Sequence, residues 1–305
     1  MDPLPQTSNA ARPTAGRRGR LGGRVALVLG LVLVTGLALA QRRGFRGWFE
    51  SGHIGDSTRT AREVESHSTG TPTWTNPTGF ERDVFTFARL RYDRGGQWGR
   101  GGWSTDLPDS DLNLSFRLQQ MTSMKVDPDG RLLRVTDPDL PNHPFLYAVE
   151  PGGFSLDEAE TVALRNYLLN GGFLMFDDFW GDNEWENVEE VMSRVLPGRS
   201  WVELPLDHPV YHCVFQIRSK GQVPNVGLGV QSQWDGVTAE RPDAEEVHHR
   251  AWFDDHGRMI VFAAHNTDNG DGWEREGEND FYFRTFSEKI AYPLGINLIF
   301  YVMTH

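Results

Sequence analysis

The chain has 305 residues, of which 38% are hydrophobic and 24% are charged, so it is long enough to bury a substantial core. Among its 30 basic and 42 acidic residues, five arginines and one aspartate precede Gln41, which leaves a net charge of −16 for the rest of the chain. Because phosphate binding needs clustered Lys and Arg, this acidic body argues against a nucleic-acid-binding protein. The single cysteine, Cys213, excludes an intrachain disulfide and a cysteine-based metal cluster.

An apolar segment without charged residues spans residues 25–40. It follows an arginine-rich leader, residues 1–24, that we expect in the cytoplasm. Ala38-Leu39-Ala40 has the pattern of a signal-peptidase site, which favours a signal peptide cleaved near Ala40. The arginines that follow favour a retained transmembrane helix instead, namely Arg42, Arg43 and Arg46. Both alternatives predict a bacterial envelope protein, membrane-anchored or periplasmic, with its domain outside the cytoplasm.

Residues 41–79 are rich in Ser, Thr, Gly and charge and lack a sustained apolar period, which predicts a disordered spacer. The remaining residues, 80–305, are predicted to form one α/β domain. Its first strand candidate is Val84–Tyr92, which is rich in aromatic and β-branched residues. A loop of glycines and tryptophans follows, and the apolar period after it predicts a helix from about Asp111. Phe145–Val149 is typical of a buried parallel strand.

The same alternation continues through the middle of the domain. Ser155 and Glu158 have the spacing of a capping box, for a helix that ends at Asn170-Gly171-Gly172. Phe173–Phe176 is then predicted as a buried strand. An amphipathic helix follows and ends at Pro197-Gly198, with an apolar stripe formed by Trp185, Val188, Met192 and Val195.

The last elements complete the predicted fold. A hairpin is expected at Ala251–Asp254 and Met259–Ala264, and Ile290–Met303 predicts a buried terminal helix. Strands that alternate with helices indicate a doubly wound α/β fold, in which helices cover both faces of the sheet. We therefore predict a mostly parallel sheet with an antiparallel edge hairpin.

Polar segments follow several of the predicted strands, and ligands of doubly wound sheets bind beyond the carboxyl ends of the strands. Asp177, Asp178 and His265 are the candidate catalytic residues. Adjacent carboxylates raise each other's pKa and suit proton transfer or a hard divalent cation, and a histidine beside them is a candidate base or metal ligand. Two structural alternatives stay open: one aspartate caps a helix, and His265 is a hydrogen-bonded loop residue.

Tryptophans and further polar side chains in the same segments are the candidate ligand-binding residues. They are Trp98, Trp103, Trp180, Asn266, Asp268, Asp271, Trp273 and Glu274. Indoles beside carboxylates can hold a sugar ring, whereas tryptophans of a large domain are usually buried. The acidic stretch from Asp268 to Glu278 resembles a calcium loop without matching EF-hand spacing, so the sequence identifies neither a metal nor a cofactor.

Several common catalytic motifs do not occur in the sequence. It contains no Walker loop, no G-x-G-x-x-G that opens a helix, no H-E-x-x-H and no G-x-S-x-G. Cys213 lies in a bulky, strand-like segment, so we interpret it as a buried structural residue and not as a nucleophile.

A set of motifs, in order along residues 80–305, resembles a bacterial family called domain of unknown function 4159. The motifs are Asp137-Pro138-Asp139-Leu140, His143-Pro144-Phe145, Asn170-Gly171-Gly172-Phe173-Leu174, Asp177-Asp178-Phe179-Trp180-Gly181, His208-Pro209-Val210, His265-Asn266, Gly270-Asp271-Gly272-Trp273-Glu274 and Ala291-Tyr292-Pro293-Leu294-Gly295-Ile296-Asn297. The resemblance implies a flavodoxin-like three-layer sandwich of the class I glutamine amidotransferase-like group. It also implies a membrane-protein partner from a von Willebrand-type or MoxR-associated system.

The resemblance does not carry an activity with it. Amidotransferases need a cysteine at a small-residue elbow and a His-x-Glu pair, and this sequence has neither. The leading hypothesis is a non-catalytic binding or assembly domain of the envelope, tethered to the membrane. The alternative is a hydrolase or lectin-like module that acts on envelope polysaccharide through its strand-end carboxylates and histidine.

Overall fold

A computed structural model describes residues 54–79, 83–95 and 102–305. In this part of the chain, the strands are Ala88–Leu90 (β1), Asp93–Arg94 (β2), Arg131–Leu133 (β3), Phe145–Val149 (β4), Phe154–Ser155 (β5), Phe173–Phe179 (β6), Val202–Glu203 (β7), His248–Phe253 (β8) and Met259–His265 (β9). The α-helices are Asp109–Met121 (α1), Glu158–Leu169 (α2), Gly181–Val195 (α3), Val226–Asp235 (α4), Asn269–Glu274 (α5), Asp280–Tyr282 (α6) and Tyr292–Thr304 (α7). A π-helix, Phe283–Ala291, joins α6 to α7.

Seven of these strands form one sheet in the order β3-β1-β4-β6-β9-β8-β7. The first five are parallel, whereas β8 runs antiparallel to both of its neighbours. Numbered along the chain, the five parallel strands follow the order 2-1-3-4-5 of flavodoxin-like sheets. The predicted α/β sandwich with an antiparallel edge hairpin is therefore confirmed, while the resemblance to glutamine amidotransferases stays a prediction.

Strand β4 shows why the sheet lies between two helical layers. Phe145, Tyr147 and Val149 pack into one core cluster with residues of α1 and α7. Leu146 and Ala148 pack into a second cluster with residues of α2 and α3. Because successive side chains of a strand point to opposite faces, a continuous apolar run needs a helical layer on each side.

The predicted start of helix α2 is wrong by two residues. Its cap is Asp157, whose Oδ1 accepts a hydrogen bond from the amide of Glu160 at 2.7 Å, and not the pair Ser155 and Glu158. Ser155 is instead the last residue of β5, where it pairs with Asp93. The small second sheet formed by β2 and β5 therefore moves the start of the helix towards the carboxyl terminus.

Strand β6 continues beyond its predicted end at Phe176 and includes Asp177-Asp178. Its pairing with β9 is regular up to Phe176 and Ala263, and then shifts before Phe179 pairs with His265. Aspartates are depleted in strands, which is why the apolar run alone predicts an earlier end. The irregular end of β6 places the two aspartates where the carboxyl ends of the parallel strands meet, which we call the carboxyl edge of the sheet.

The predicted disordered spacer is ordered in residues 54–79, the part of it that the structure describes. The Arg62 guanidinium donates to the carbonyl of Pro128 at 2.6 Å. The amide of Leu132, in edge strand β3, donates to the carbonyl of Arg59 at 2.8 Å. Hydrogen bonds and scattered apolar contacts, such as the packing of buried Ala61, hold this segment. Its order is therefore not visible as a sustained apolar period in the sequence.

Several predictions fall outside the described residues, namely the leader at residues 1–24, the apolar segment at 25–40 and Trp98. Within residues 54–79, 83–95 and 102–305, none of the helices combines the length and the apolarity that a membrane span requires. The transmembrane helix predicted at residues 25–40 thus stays a prediction.

Candidate functional site

Four residues other than glycine have a left-handed backbone in the described chain, and each lies at or after the carboxyl end of a different parallel strand. They are Asp106 (φ 63°), Glu150 (φ 48°), Asp178 (φ 54°) and Asn266 (φ 63°). Asp106 lies in the connection from β1 to α1, Glu150 directly follows β4, Asp178 lies at the end of β6 and Asn266 directly follows β9. Such conformations cost roughly 1–3 kcal/mol each and cluster at functional sites. The carboxyl edge of the sheet is therefore the candidate site.

Asp177 is completely buried at this edge and caps helix α5. Its Oδ1 accepts a hydrogen bond from Asn269 Nδ2 at 2.8 Å, and its Oδ2 accepts from the amide of Gly270 at 2.9 Å and from Tyr147 OH at 3.0 Å. Burial raises the pKa of Asp177 to about 6, and these hydrogen bonds oppose the rise. The capped helix begins about ninety residues further along the chain and is not the helix that follows Asp177.

Asp178 lies among other carboxylates. Its Oδ1 accepts a hydrogen bond from Trp180 Nε1 at 2.8 Å. Burial raises the pKa of Asp178 well above its ordinary value, and the negative charges of Glu150, Glu240 and Asp106 raise it further. These acids come from four separate segments of the chain, so the fold concentrates negative charge at the carboxyl edge.

His265 is not brought into hydrogen-bond contact with either aspartate. Its Nδ1 accepts from Arg250 at 3.2 Å, and its Nε2 lies 3.0 Å from the carbonyl of Gly181, to which it donates. Arginine offers only donors, and this fixes the tautomer of the imidazole. The ring stacks on Phe179 with 4.9 Å between centroids. Burial lowers the pKa of His265 to about 4, so the ring is neutral at pH 7.

Asp106 joins two of the predicted acids, Asp271 and Glu274. Side-chain oxygens of the three residues all lie within 4.8 Å of one another. Asp271 and Glu274 are three positions apart on α5, which puts both on one face of the helix. Burial raises the pKa of Asp106 and of Glu274 well above their ordinary values, and repulsion from neighbouring acids adds to both shifts. Hard oxygen donors in this arrangement can hold a divalent cation.

Arg275 supplies positive charge to this cluster. Its Nε lies 2.8 Å from Glu274 Oε2 and 3.3 Å from Asp271 Oδ1, and its Nη1 lies 3.3 Å from Glu278 Oε1. Asp268 caps the same helix, because its Oδ1 accepts from the amide of Asp271 at 2.7 Å. Burial raises the pKa of Asp268 as well, with a further rise from the acids around it.

Arg89 positions the loop that carries Asp106. It is completely buried and forms an ion pair with Asp111 at 2.5 Å. Its Nη1 donates to the carbonyls of Trp103 at 3.0 Å and Thr105 at 2.7 Å. The guanidinium thereby fixes the backbone just before Asp106, and its charge is largely balanced by Asp111.

The described tryptophans of the predicted ligand set serve mainly as packing groups. Trp273 is fully buried against Tyr147, with 5.6 Å between ring centroids, and Trp180 is buried too. Trp103 is half-buried, and the guanidinium of Arg91 covers one face of its ring at 4.6 Å. The buried indoles of Trp180 and Trp273 are not available to stack on a sugar ring.

Asn266 is likewise committed to the fold. Its Oδ1 accepts from the amide of Gly181 at 2.8 Å, at the start of α3, and its Nδ2 donates to the carbonyl of Glu246 at 2.7 Å. Its left-handed backbone and these two bonds tie the end of β9 to the start of α3 and to the segment just before β8.

Sequence reasoning misses Asp106, Glu150 and Glu240. A signal for Glu150 exists, because it directly follows the strand Phe145–Val149, and ligand groups follow the strands of such a sheet. Asp106 and Glu240 lie in long connections, and their approach to the edge depends on contacts distant in sequence.

Comparisons with known proteins agree with the motif order. A search among curated proteins finds no match to this chain. The model of the family described as Domain of unknown function (DUF4159) matches residues 86–303, which is more than two thirds of the chain and nearly all of the α/β domain. The chain therefore belongs to the DUF4159 family.

Proposed function

We propose that the chain is a cell-envelope protein whose acidic, non-catalytic domain binds a cationic ligand and is tethered to the membrane through residues 25–40. The observation that carries the proposal is the carboxyl edge, where strained residues, buried carboxylates and partly exposed carboxylates lie together. A protein keeps such strain and repulsion where a function needs them, because both oppose folding.

The candidate acid–base groups support binding over catalysis. Both oxygens of Asp177 accept hydrogen bonds, and both ring nitrogens of His265 are bonded within the fold. The half-buried thiol of Cys213 contacts the carbonyl of Asn297 at 3.2 Å, and burial raises its pKa. A general acid or base must exchange a proton with the substrate, so these groups are poorly placed for proton transfer.

Three acids at this edge are at least partly accessible and act on one another electrostatically, and we call Glu150, Asp178 and Glu240 the rim acids. Glu150 and Asp178 are partly exposed, and Glu240 is exposed. Arg94 pairs with Glu150 at 2.5 Å. One guanidinium cannot balance three ionised carboxylates, so the rim acids together keep an excess of negative charge. A basic segment of a membrane-protein partner is complementary to this rim. The family resemblance suggests von Willebrand-type or MoxR-associated systems as its source.

The proposal is tested with the full-length chain in intact cells, by photo-crosslinking from a photoreactive residue at Glu240. Asn170, which is exposed at the opposite edge of the sheet, is the matched control position. We expect a discrete adduct from position 240 and none from position 170. The adduct should disappear when Glu150→Gln and Asp178→Asn neutralise the rim, because the attraction depends on its charge.

Two results would overturn the proposal. One is an adduct of equal yield from both positions or one that survives neutralisation of the rim. The other is turnover of glycans or esters by the purified full-length chain that is lost in the Asp178→Asn variant, which would favour the hydrolase.

The membrane tether is tested separately, by N-terminal sequencing and membrane fractionation of the mature protein. A cleaved signal peptide and a retained anchor predict different results. A mature chain that begins at Gln41 has lost residues 25–40 as a signal peptide and is periplasmic. A mature chain that keeps its leader and fractionates with membranes carries residues 25–40 as the anchor.

A further inference from the structure

Asp106, Asp271 and Glu274 form the second group of acids at this edge, and we call them the inner acids because two of the three are buried. Asp271 is 5% exposed and Glu274 is 3% exposed. Arg275 is the nearby cation, and it also contacts Glu278. Arg89 is largely balanced by Asp111, with which it shares three hydrogen bonds. When ionised, the inner acids therefore carry more negative charge than the described residues around them balance.

The second observation concerns one oxygen that the fold leaves without a partner. Asp106 Oδ2 is buried and accepts no hydrogen bond from residues 54–79, 83–95 or 102–305. Two further buried oxygens of α5 lack a hydrogen bond in the described part of the chain, namely Asn269 Oδ1 and Glu274 Oε2, the latter in ion contact with Arg275 at 2.8 Å. An unsatisfied buried acceptor destabilises the fold, and a charged one does so more strongly, so a ligand that supplies the missing partner is favoured.

The approach of Asp106 to helix α5 depends on a glycine. A Cβ atom at Gly270 would lie 2.4 Å from Asp106 Oδ2 and 2.9 Å from Tyr147 OH. Any other residue at position 270 would therefore push Asp106 away from Asp271 and Glu274. Together with the left-handed backbone of Asp106, this close approach shows that the fold holds the third carboxylate in place.

We propose that the inner acids bind a divalent metal ion, Ca²⁺ in preference to Mg²⁺, beneath the rim acids. This inference rests on the proposed function, because it names a cation that the same acidic edge holds. All three ligands are carboxylate oxygens, which suit hard cations, whereas zinc favours nitrogen and sulfur. Mg²⁺ gives up its waters reluctantly and is seldom held by protein ligands alone, which favours Ca²⁺ at a site of three protein carboxylates. Their oxygens lie within 4.8 Å of one another, close enough to bind one ion together.

Arg275 is the internal competitor for this site. Its Nε contacts two of the inner acids, so the entering ion must displace it. Glu278 already contacts Arg275 Nη1 and offers the guanidinium another carboxylate. Arg275→Gln should therefore strengthen calcium binding, whereas Asp106→Asn and Glu274→Gln should weaken it. A cluster with a purely structural role predicts no such opposite effects on metal affinity.

The test is calorimetric titration of the full-length chain in detergent with calcium chloride and, separately, magnesium chloride, after treatment with a chelator. We expect calcium to bind with a dissociation constant of about 10⁻⁴–10⁻³ M, as in extracellular modules, and to raise the melting temperature. Asp106→Asn and Glu274→Gln should each weaken calcium binding at least tenfold, and Arg275→Gln should tighten it. Asp255→Asn, which neutralises a largely exposed carboxylate in the hairpin turn, is the control and should bind like the parent.

Either of two outcomes overturns the inference: a parent chain that binds no calcium, or variants of all four kinds with the same affinity as the parent. If Asp106→Asn fails to fold, Glu274→Gln and Arg275→Gln still test the inference, because they are expected to shift the calcium affinity in opposite directions. A chain that crosslinks from Glu240 and binds no calcium would sink only this inference and leave the proposed function standing. A chain that binds calcium and forms no adduct would contradict the proposed partner and leave the calcium site standing.

Discussion

The neighbouring aspartates at the end of β6 differ in what they contribute to stability. Asp177→Ala removes the acceptor of three buried donors, namely Tyr147 OH, Asn269 Nδ2 and the amide of Gly270. Each buried donor left without a partner costs about 1–3 kcal/mol, so the free energy of unfolding should fall by roughly 3 kcal/mol or more. Urea denaturation of the full-length chain measures this loss, and a loss below about 1 kcal/mol would contradict the capping role.

Asp178→Asn should have the opposite effect on stability at pH 8. Asparagine tolerates a left-handed backbone, and its amide oxygen can still accept from Trp180 Nε1. Because burial and nearby acids raise the pKa of Asp178, the charged form destabilises the fold, and the penalty appears as the pH rises above about 4. We expect a gain of roughly 1 kcal/mol at pH 8 and none near pH 4. Urea denaturation at both pH values checks it, and a loss at pH 8 would count against this reading.

The chemical type of the site residues is easier to predict from the sequence than their contacts. It selects Asp177, Asp178 and His265 because carboxylates and imidazoles carry protons, and all three do lie at the end of a strand. It cannot show that Asp177 caps a helix distant in sequence or that Arg250 occupies His265 Nδ1. Those contacts depend on how the strands pair.

Among the secondary-structure elements, strand β4 at Phe145–Val149 is predicted with its observed bounds, because an apolar run flanked by polar residues leaves little ambiguity. Helix α4, Val226–Asp235, is absent from the predictions, since only Val226 and Gly229 of its residues are buried and its apolar stripe is short. An element that buries one broad face has a periodic apolar pattern and can be predicted from the sequence. An element held mainly by caps and hydrogen bonds has no such pattern.

The segment formed by residues 54–79 is such a case, and its attachment can be tested. Asp109, at the start of α1, accepts from Ser66 Oγ at 2.5 Å and from the amide of His67 at 2.7 Å. Asp109→Asn replaces one acceptor oxygen by a donor, so one of the two bonds is lost. We expect hydrogen–deuterium exchange of residues 66–70 to accelerate about tenfold or more, which corresponds to a loss of about 1.4 kcal/mol in local stability.

The matched control is Asp127→Asn. Asp127 accepts from the amide of Asp129 at 2.9 Å in a different loop. Exchange at residues 66–70 should be unchanged in this variant. Unchanged exchange there in Asp109→Asn as well would mean that other contacts hold the segment, such as the bond from Ser68 Oγ to Glu278 at 2.6 Å.

At the scale of the whole molecule, the domain buries two neutral histidines, and these make its stability depend on pH. Burial lowers the pKa of His249 to about 3, helped by the positive charges of Lys220 and His248, and lowers that of His265 to about 4. The unfolded chain titrates its histidines near pH 6.5, so it takes up protons that the folded state refuses. Stability is therefore lost as the pH falls below about 6.5, by up to about 1.4 kcal/mol per pH unit for each histidine.

Replacing His249 isolates its share of this effect from the carboxylates, whose raised pKa values act in the opposite direction. In His249→Asn the amide occupies the place of Nδ1, which contacts Tyr211 OH at 2.9 Å, and nothing titrates there. The variant should be less stable than the parent by about 1–3 kcal/mol at pH 7.5, because it loses ring contacts in the core. As the pH falls to 5 the gap should narrow by roughly 1–2 kcal/mol, since only the parent carries the suppressed protonation. Urea denaturation across this range measures the gap, and a gap independent of pH would show that His249 is not held neutral by burial.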